Sequence, residues 1–350
     1  MKSVRLKGRT LPIPIIQGGM GIGISRSRLA GAVAREGGMG VISTAQIGYD
    51  DPEFETAPEE ANLRVLPQQI RRAKELSGGN GLVGVNIMSV TQLYETYVKT
   101  VCEAGVDAII SGAGLPAKLP ECVAGFNVAI APIVSSEKSA RVILKLWDRK
   151  YKRTADFLVI EGPRAGGHLG FSPEQLHDIA SLNYDEEIRK IIALKNTYEK
   201  KYGTVMPVFV AGGIFHREDV MRALELGADG IQAASRFVAT EECDAHESFK
   251  QAYVQAAEED VVIIKSPVGM PGRALRNAFV ERVASCPGGV DYCFNCLSAC
   301  SPVTAAYCIT QALINAVRGD LENGLIFCGA RVGEIGGITT VHELMKELAV

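Results

Sequence analysis

The chain has 350 residues, 47% hydrophobic and 22% charged, with 37 Lys and Arg against 40 Asp and Glu for a formal net charge of −3. That balance is ordinary for a globular protein and offers no basic face, which excludes nucleic acid as the main partner. The opening segment, MKSVRLKGRTLPIPIIQGGM, has an apolar run broken by prolines and too short for a signal-peptide core or a membrane span. A cytoplasmic protein with no membrane partner is expected, its nine cysteines reduced or ligating metal rather than paired in disulfides. A homodimer is compatible with the sequence.

Eight short apolar runs follow one another along the chain. They are PIPIIQ (12–17), GVISTA (40–45), LVGVNI (82–87), DAIISG (107–112), NVAIAPIV (127–134), ADFLVIEG (155–162), PVFVAGG (207–213) and DGIQAAS (229–235). Each is apolar throughout rather than alternating, the pattern of parallel strands buried on both faces. Helical segments lie between them. SRSRLAGAVAREGG offers a serine N-cap and a terminal glycine, and LPQQIRRAKELSGG and REDVMRALELGA follow the same plan. Two crossovers are long. Residues 46–81 open on a polar loop, and residues 172–206 carry an extra charged helix, DEEIRKIIALKNTYEKKYG.

Eight strands with seven crossovers match an α/β TIM (β/α)8 barrel, although a doubly wound sheet shows the same alternation. The expected division is a barrel over residues 1–240 and a helical extension over 241–350. The extension holds a Cys-rich segment packed on the barrel and a piece, SPVGMPGRALRN, that folds over the barrel mouth.

In a barrel the chemistry sits at the carboxyl ends of the strands. Those ends read Gln17-Gly18-Gly19-Met20, Asn86, Ser111-Gly112, Glu161 to His168, Ala211-Gly212-Gly213 and Gln232-Ala233-Ala234-Ser235-Arg236. So many glycines imply close approach of a ligand to the backbone. The seventh and eighth ends, VFVAGGIF and GADGIQAASRF, put small residues and free amides where many barrels bind phosphate. There Ser235 offers a hydroxyl, and Arg236 either adds charge or pairs with an acid on the rim. Tight strand–helix packing is the alternative explanation of the small residues. His168, in EGPRAGGHLGF, follows the sixth strand and faces the same mouth. Its imidazole is the natural proton-transfer group near neutral pH, unless a backbone carbonyl merely holds it in a glycine-rich turn.

PIIQGGMG, GVNIM, EGPRAGGHLGF, VFVAGGI and GADGIQAASRFVAT occur here in an order and spacing that resembles the nitronate monooxygenase (2-nitropropane dioxygenase) family, over residues from about 10 to 285. That family includes FMN-dependent enoyl-acyl-carrier-protein reductases and some NADH:quinone reductases. The resemblance implies an FMN-binding TIM barrel with His168 as the catalytic histidine. It also implies that Gly19 and Met20 lie against the flavin ring, and that Asn86, Glu161, Gly166, Gly212 and Gly213 contact the cofactor. Gln232, Ala233, Ala234 and Ser235 would complete its phosphate cradle. The chain departs from the family at Arg164, where a glutamate often precedes Ala-Gly-Gly-His, and at Ala234-Ser235, where the pair is often Gly-Thr.

The function implied first is oxidation of alkyl nitronates by molecular oxygen. An NAD(P)H-dependent enoyl-acyl-carrier-protein (or NADH:quinone) reductase is the alternative, with an enoyl thioester as small-molecule substrate and NAD(P)H as co-substrate. Arg273 and Arg276, near the expected mouth, suit the phosphates of NADPH or a phosphopantetheine arm. An IMP-dehydrogenase-type barrel needs a cysteine after the sixth strand, and none stands between Cys122 and Cys243.

The segment CPGGVDYCFNCLSACSPVTAAYC carries Cys286, Cys293, Cys296, Cys300 and Cys308. Cys293-x2-Cys296-x3-Cys300 has the look of part of an iron–sulfur ligand run, with Cys308, Cys286 or Cys328 as fourth ligand, and zinc suits thiolates equally. The same spacing, i, i+3 and i+7, is also one face of a helix with buried thiols. No metal ligand is assigned on this basis. A redox sensor acting through these cysteines is the non-enzyme alternative.

Overall fold

The computed structural model describes residues 1–350 apart from Pro287 and Ala299. The chain opens with a hairpin, β1 (Val4–Leu6) and β2 (Arg9–Leu11), and then alternates strand and helix. In order come β3 (Ile15–Gln17), α1 (Ser27–Arg35), β4 (Met39–Ser43), α2 (Pro58–Ser77), β5 (Leu82–Met88), α3 (Tyr94–Glu103) and β6 (Ala108–Gly112). Next are α4 (Leu119–Cys122), β7 (Ala129–Val134), α5 (Glu137–Tyr151), β8 (Leu158–Glu161), β9 (Gly167–His168), α6 (Pro173–His177) and α7 (Tyr184–Tyr202). After β10 (Val208–Ala211), α8 (Arg217–Glu225), β11 (Gly230–Ala233) and α9 (Ser235–Val238), the remainder is α10 (Glu247–Gln255), β12 (Val261–Lys265), β13 (Pro271–Leu275), α11 (Ala278–Ser285), α12 (Ile309–Val317) and α13 (Val341–Leu348).

Strands β3 to β8, β10 and β11 are parallel and close into an eight-stranded barrel, each expected run supplying one strand. Their uniformly apolar character follows from two burial faces. Ile16, Met39, Val41, Ile110, Val159 and Phe209 point into the barrel, where Phe157 and Phe209 meet edge to face at 5.7 Å. Ile15, Ile42, Val85, Ile109 and Ile160 face the helices. Leu6 and Leu11 of the opening hairpin join the interior cluster and plug its base. Burying side chains of this size contributes roughly 1.5–3 kcal/mol each.

Three sequence expectations change. The charged helix expected as an addition is α7, the sixth crossover's own helix, which buries Ile188, Ile191 and Leu194 on one face and packs against α5. The amino end of α1 is capped not by a serine but by Asp244, whose carboxylate accepts from the amides of Arg26, Arg28 and Leu29 at 2.9, 3.3 and 3.1 Å. And α13 packs against α1, α8 and α9 in the position of the barrel's eighth helix, so a cut at residue 240 would sever it from the barrel that it completes.

The segment between α9 and α13 folds over the carboxyl ends of the strands. It is not helical throughout: β12 and β13 form an antiparallel hairpin, and β13 pairs with β9, placing Gly272 opposite His168 and Arg273 opposite Gly167. The glycine-rich loop after β8 is thereby fastened to a cover built about a hundred residues later. No described helix is long and apolar enough to cross a membrane.

Candidate active site

A cavity of about 280 Å³ lies between the strand ends and this cover. The barrel register levels its floor: Glu161 pairs with Ala211, Ala211 with Gln232, Ala233 with Gln17, and Ser43 with Asn86. All of the expected site residues line it, namely Gly19, Met20, Asn86, Glu161, Gly166, His168, Gly212, Gly213, Gln232, Ala233, Ala234 and Ser235.

Local chemistry explains how each is held. The loop Gly18–Ser25 is closed by Ser25, whose Oγ accepts from the Met20 amide at 2.8 Å and donates to the Met20 carbonyl. Gly19 is pressed against Asn86, since a β-carbon there would stand 2.6 Å from the Asn86 Cβ. Gln17 is fully buried and accepts from the Val41 amide at 3.1 Å, fixing the spacing of the first two barrel strands. Gly166 lies under the cover, where an added β-carbon would meet the backbone of Cys328 and Gly329 at 2.6–2.8 Å.

Gly212 and Gly213 adopt φ of +88° and +99°, which turns the chain sharply after β10. The amides of Gly213, Ala234 and Ser235 donate to no group among the described residues. They form a set of free donors suited to a phosphate. The Ser235 hydroxyl instead accepts from the Gly329 amide at 3.0 Å. Arg236 is committed to the rim. Its guanidinium makes two hydrogen bonds to Glu347, at 2.8 and 2.7 Å, and one to the Phe215 carbonyl, so it adds no charge to the cradle. Arg164 is exposed, with its stem against Gly213 at the cavity edge. Arg273 is not at an open mouth: it is 3% exposed and donates to the Ala165 carbonyl behind the glycine loop. Arg276 is exposed on the hairpin's outer end.

His168 sits on β9 with its Nε2 2.7 Å from the Ser266 Oγ and its ring edge-to-face with Phe327 at 5.2 Å. Ser266 is buried in the β12–β13 turn, and its Oγ also accepts from the Val268 amide at 3.4 Å. The hydroxyl proton is thus free to go to Nε2, leaving the ring proton on Nδ1. Burial lowers the His168 pKa to about 4, so the ring is uncharged at neutral pH.

Glu161 has the opposite shift. Desolvation in the enclosed cavity raises its carboxyl to about 7. The Tyr184 hydroxyl donates to its backbone carbonyl at 2.9 Å and anchors the end of β8. A folded pKa above the unfolded one means that the folded chain retains a proton the unfolded chain releases. The favourable contribution is therefore complete below pH 4.5 and is lost as pH rises through 7. In the flavin-free chain we expect Glu161→Gln to raise the thermal midpoint at pH 8 but not at pH 4, by about 2 °C once water in the cavity is allowed for. Equal midpoints of variant and parent at pH 8 would count against this carboxyl being strained.

Several site residues carry no local sequence signal: Phe327 and the 328–331 loop, which line the cavity, and Ser266 and Tyr184, which hold His168 and the end of β8 from behind, are recognisable only once the chain is folded. At the other end of the cavity, Glu59 Oε2 and Thr91 Oγ1 are buried without a hydrogen-bond partner. Buried polar atoms of this kind call for a ligand or water.

These features fit FMN. Free amides and positive-φ glycines after β10 and β11 suit a phosphate, and the polar side chains of Asn86 and Glu161 line the same cavity. Comparison with known proteins agrees. The family model described as nitronate monooxygenase matches residues 3–350. A probable nitronate monooxygenase of Staphylococcus aureus is 26% identical over 306 residues, 81% of each chain. The (3aS,4S,5R,7aS)-5-hydroxy-7a-methyl-1-oxo-octahydro-1H-indene-4-carboxyl-CoA dehydrogenase of Mycobacterium tuberculosis is 26% identical over 276 residues, 78% of this chain and 65% of that protein. The chain thus matches slightly under two thirds of that relative's length. Among solved structures, FabK from Thermotoga maritima superposes with a TM-score of 0.72 at 26% identity, covering 97% of this chain and 92% of that one. With fold, cavity and relatives in agreement, the chain belongs to the nitronate monooxygenase family and is an FMN-dependent oxidoreductase.

Proposed function

We propose that the chain oxidises small alkyl nitronates with molecular oxygen in the cytoplasm, and the observation that carries this reading is His168, which lines the cavity with its Nε2 2.7 Å from the Ser266 hydroxyl. FMN, when bound, supplies the redox chemistry, taking electrons from the substrate and passing them to oxygen. The residues would hold it as the cavity suggests: Gly213, Ala234 and Ser235 amides toward the phosphate, Gly19 and Met20 along the ring, Asn86 and Glu161 at its polar edge. A nitronate arrives already deprotonated, so the site needs no strong base. It needs a donor for an anionic oxygen. A neutral imidazole bonded through Nε2 to Ser266 offers its Nδ1–H for that task. Delivering a proton to an enolate carbon, as a reductase requires, would call for an imidazolium, which burial disfavours here. Phe327 and the loop Cys328–Arg331 line the cavity beside His168, and the Phe327 ring meets the imidazole edge to face.

The reductase reading keeps one observation in its favour. Arg164 is exposed at the cavity edge, which favours a phosphate-bearing co-substrate such as NAD(P)H. Anaerobic mixing separates the two. An alkyl nitronate should bleach the flavin absorbance within seconds, while NADH and NADPH leave it unchanged. Bleaching by a nicotinamide without bleaching by nitronate would replace the first reading with the second.

A further inference from the structure

The Cys-rich segment stands apart from the chemistry described above. Residues 293–298 do not form the helix that their spacing allowed. They run as irregular backbone with Asn295 at φ +50°, and Leu297 bridges to Thr91. Four cysteines, Cys293, Cys296, Cys300 and Cys308, line one small cavity of about 80 Å³. Cys286 and Cys328, the other candidates for a fourth ligand, do not line it. None of the four is in a disulfide.

Donors are already directed at three of these sulfurs. The Asn295 amide lies 3.4 Å from Cys293 Sγ, and the Thr310 hydroxyl donates to Cys296 Sγ at 3.1 Å. The amides of Thr310 and Gln311 are directed at the Cys308 sulfur, at the start of α12. Hydrogen bonds directed at sulfur in this way are typical of cluster-bound cysteines. Four sulfurs around one void, three of them already met by donors, form a ready set of ligands for a metal centre.

The kind of cation follows from spacing. Zinc with four thiolates at about 2.3 Å draws its sulfurs to within about 3.8 Å of one another. Among the described residues no three His, Cys, Asp or Glu side chains are gathered in a way that holds a single ion. A cubane cluster, with iron and sulfide between its ligands, requires thiolates set farther apart around a central void. We propose that Cys293, Cys296, Cys300 and Cys308 bind a [4Fe–4S] cluster. On binding, each thiol releases its proton to solvent and its sulfur donates an electron pair to one iron of the cluster, with no change of oxidation state.

The position gives the cluster a consequence for the enzyme. Cys296, Leu297 and Ile309 line both this small cavity and the flavin cavity. The cluster would thus fix a wall shared with the active-site cavity.

The full-length chain, purified anaerobically and incubated with ferrous iron, ferric iron and sulfide, tests this. About four iron and four acid-labile sulfide per chain are expected, with an electron-paramagnetic signal after dithionite reduction that persists when FMN is removed. Because iron and sulfide are counted in flavin-free protein, the result is independent of the flavin assignment. Cys293→Ser and Cys300→Ser should each lose most of the iron, while Cys286→Ser and Cys243→Ser retain it. Absence of iron and sulfide from the reconstituted parent chain, one zinc per chain in their place, or full iron retention in Cys300→Ser would overturn the proposal. Should the serine variants prove insoluble, the iron and sulfide content of the parent chain decides alone.

Discussion

Replacing His168 with alanine is expected to lower turnover by about 10²–10⁴-fold while leaving FMN affinity within about twofold of the parent. The two effects separate because His168 sits on the cover side of the cavity, on β9 against β13, whereas the amides suited to the phosphate come from the barrel strands. Ser266→Ala should act through the imidazole and do less. We expect about a tenfold fall in kcat with KM little changed, and Ser266→Thr should restore most of it. The pH profile is the sharper readout. Burial lowers the His168 pKa to about 4 and persists in Ser266→Ala, so the ring stays neutral at pH 7, while loss of the donor to the neutral ring's acceptor nitrogen should carry the acid limb of the profile upward. A structural role for Ser266 would lower the amount of folded protein but leave that limb in place. Full turnover in His168→Ala would remove the histidine from the mechanism.

The barrel was legible in the sequence because parallel strands covered on both faces must be apolar throughout, and each run ended in the small or polar residues that form the site floor. That SPVGMPGRALRN folds over the floor was legible too, but how it is fastened there was not. The strand containing His168 is two residues long and exists only because Gly272 and Arg273 pair with it. No local pattern in EGPRAGGHLGF announces that pairing. Ser266 reads in sequence as an ordinary turn serine. The eighth barrel helix escaped for another reason: about a hundred residues separate β11 from α13, and chain order alone does not show that it returns. The cysteine spacing was visible, but spacing fits a helix face as well as a ligand loop, and only Asn295 in the left-handed region decides for the loop. Arg236 shows the converse. Its place beside the phosphate motif was correctly read, but Glu347, far along the chain, takes both of its terminal nitrogens.

Gly212→Ala is expected to cost the enzyme its cofactor. The residue has φ +88°, where an L side chain is strained by about 1–3 kcal/mol. A worse conflict is added to this strain, because the β-carbon would stand 2.6 Å from the Gly162 carbonyl oxygen and 2.8 Å from its nitrogen. Both are backbone atoms, and Gly162 is itself tied to Ala211 by a 2.9 Å hydrogen bond. The methyl group can be accommodated only by parting the loops after β8 and β10. Those loops carry Glu161 on one side and the Gly213 amide on the other, so the cradle opens where it should grip. FMN affinity should fall at least about tenfold, the equivalent of 1.4 kcal/mol, and the thermal midpoint of the flavin-free chain should fall too. Gly203→Ala provides the control. That glycine ends α7 at φ +63°, and nothing lies within 4 Å of its added β-carbon. It therefore bears the conformational strain without the collision, and should lower the thermal midpoint slightly while binding FMN as the parent does. Equal FMN loss in the two variants would assign the effect to general destabilisation. Loss confined to Gly212→Ala would show that backbone contact between the sixth and seventh strand ends is what holds the site in shape.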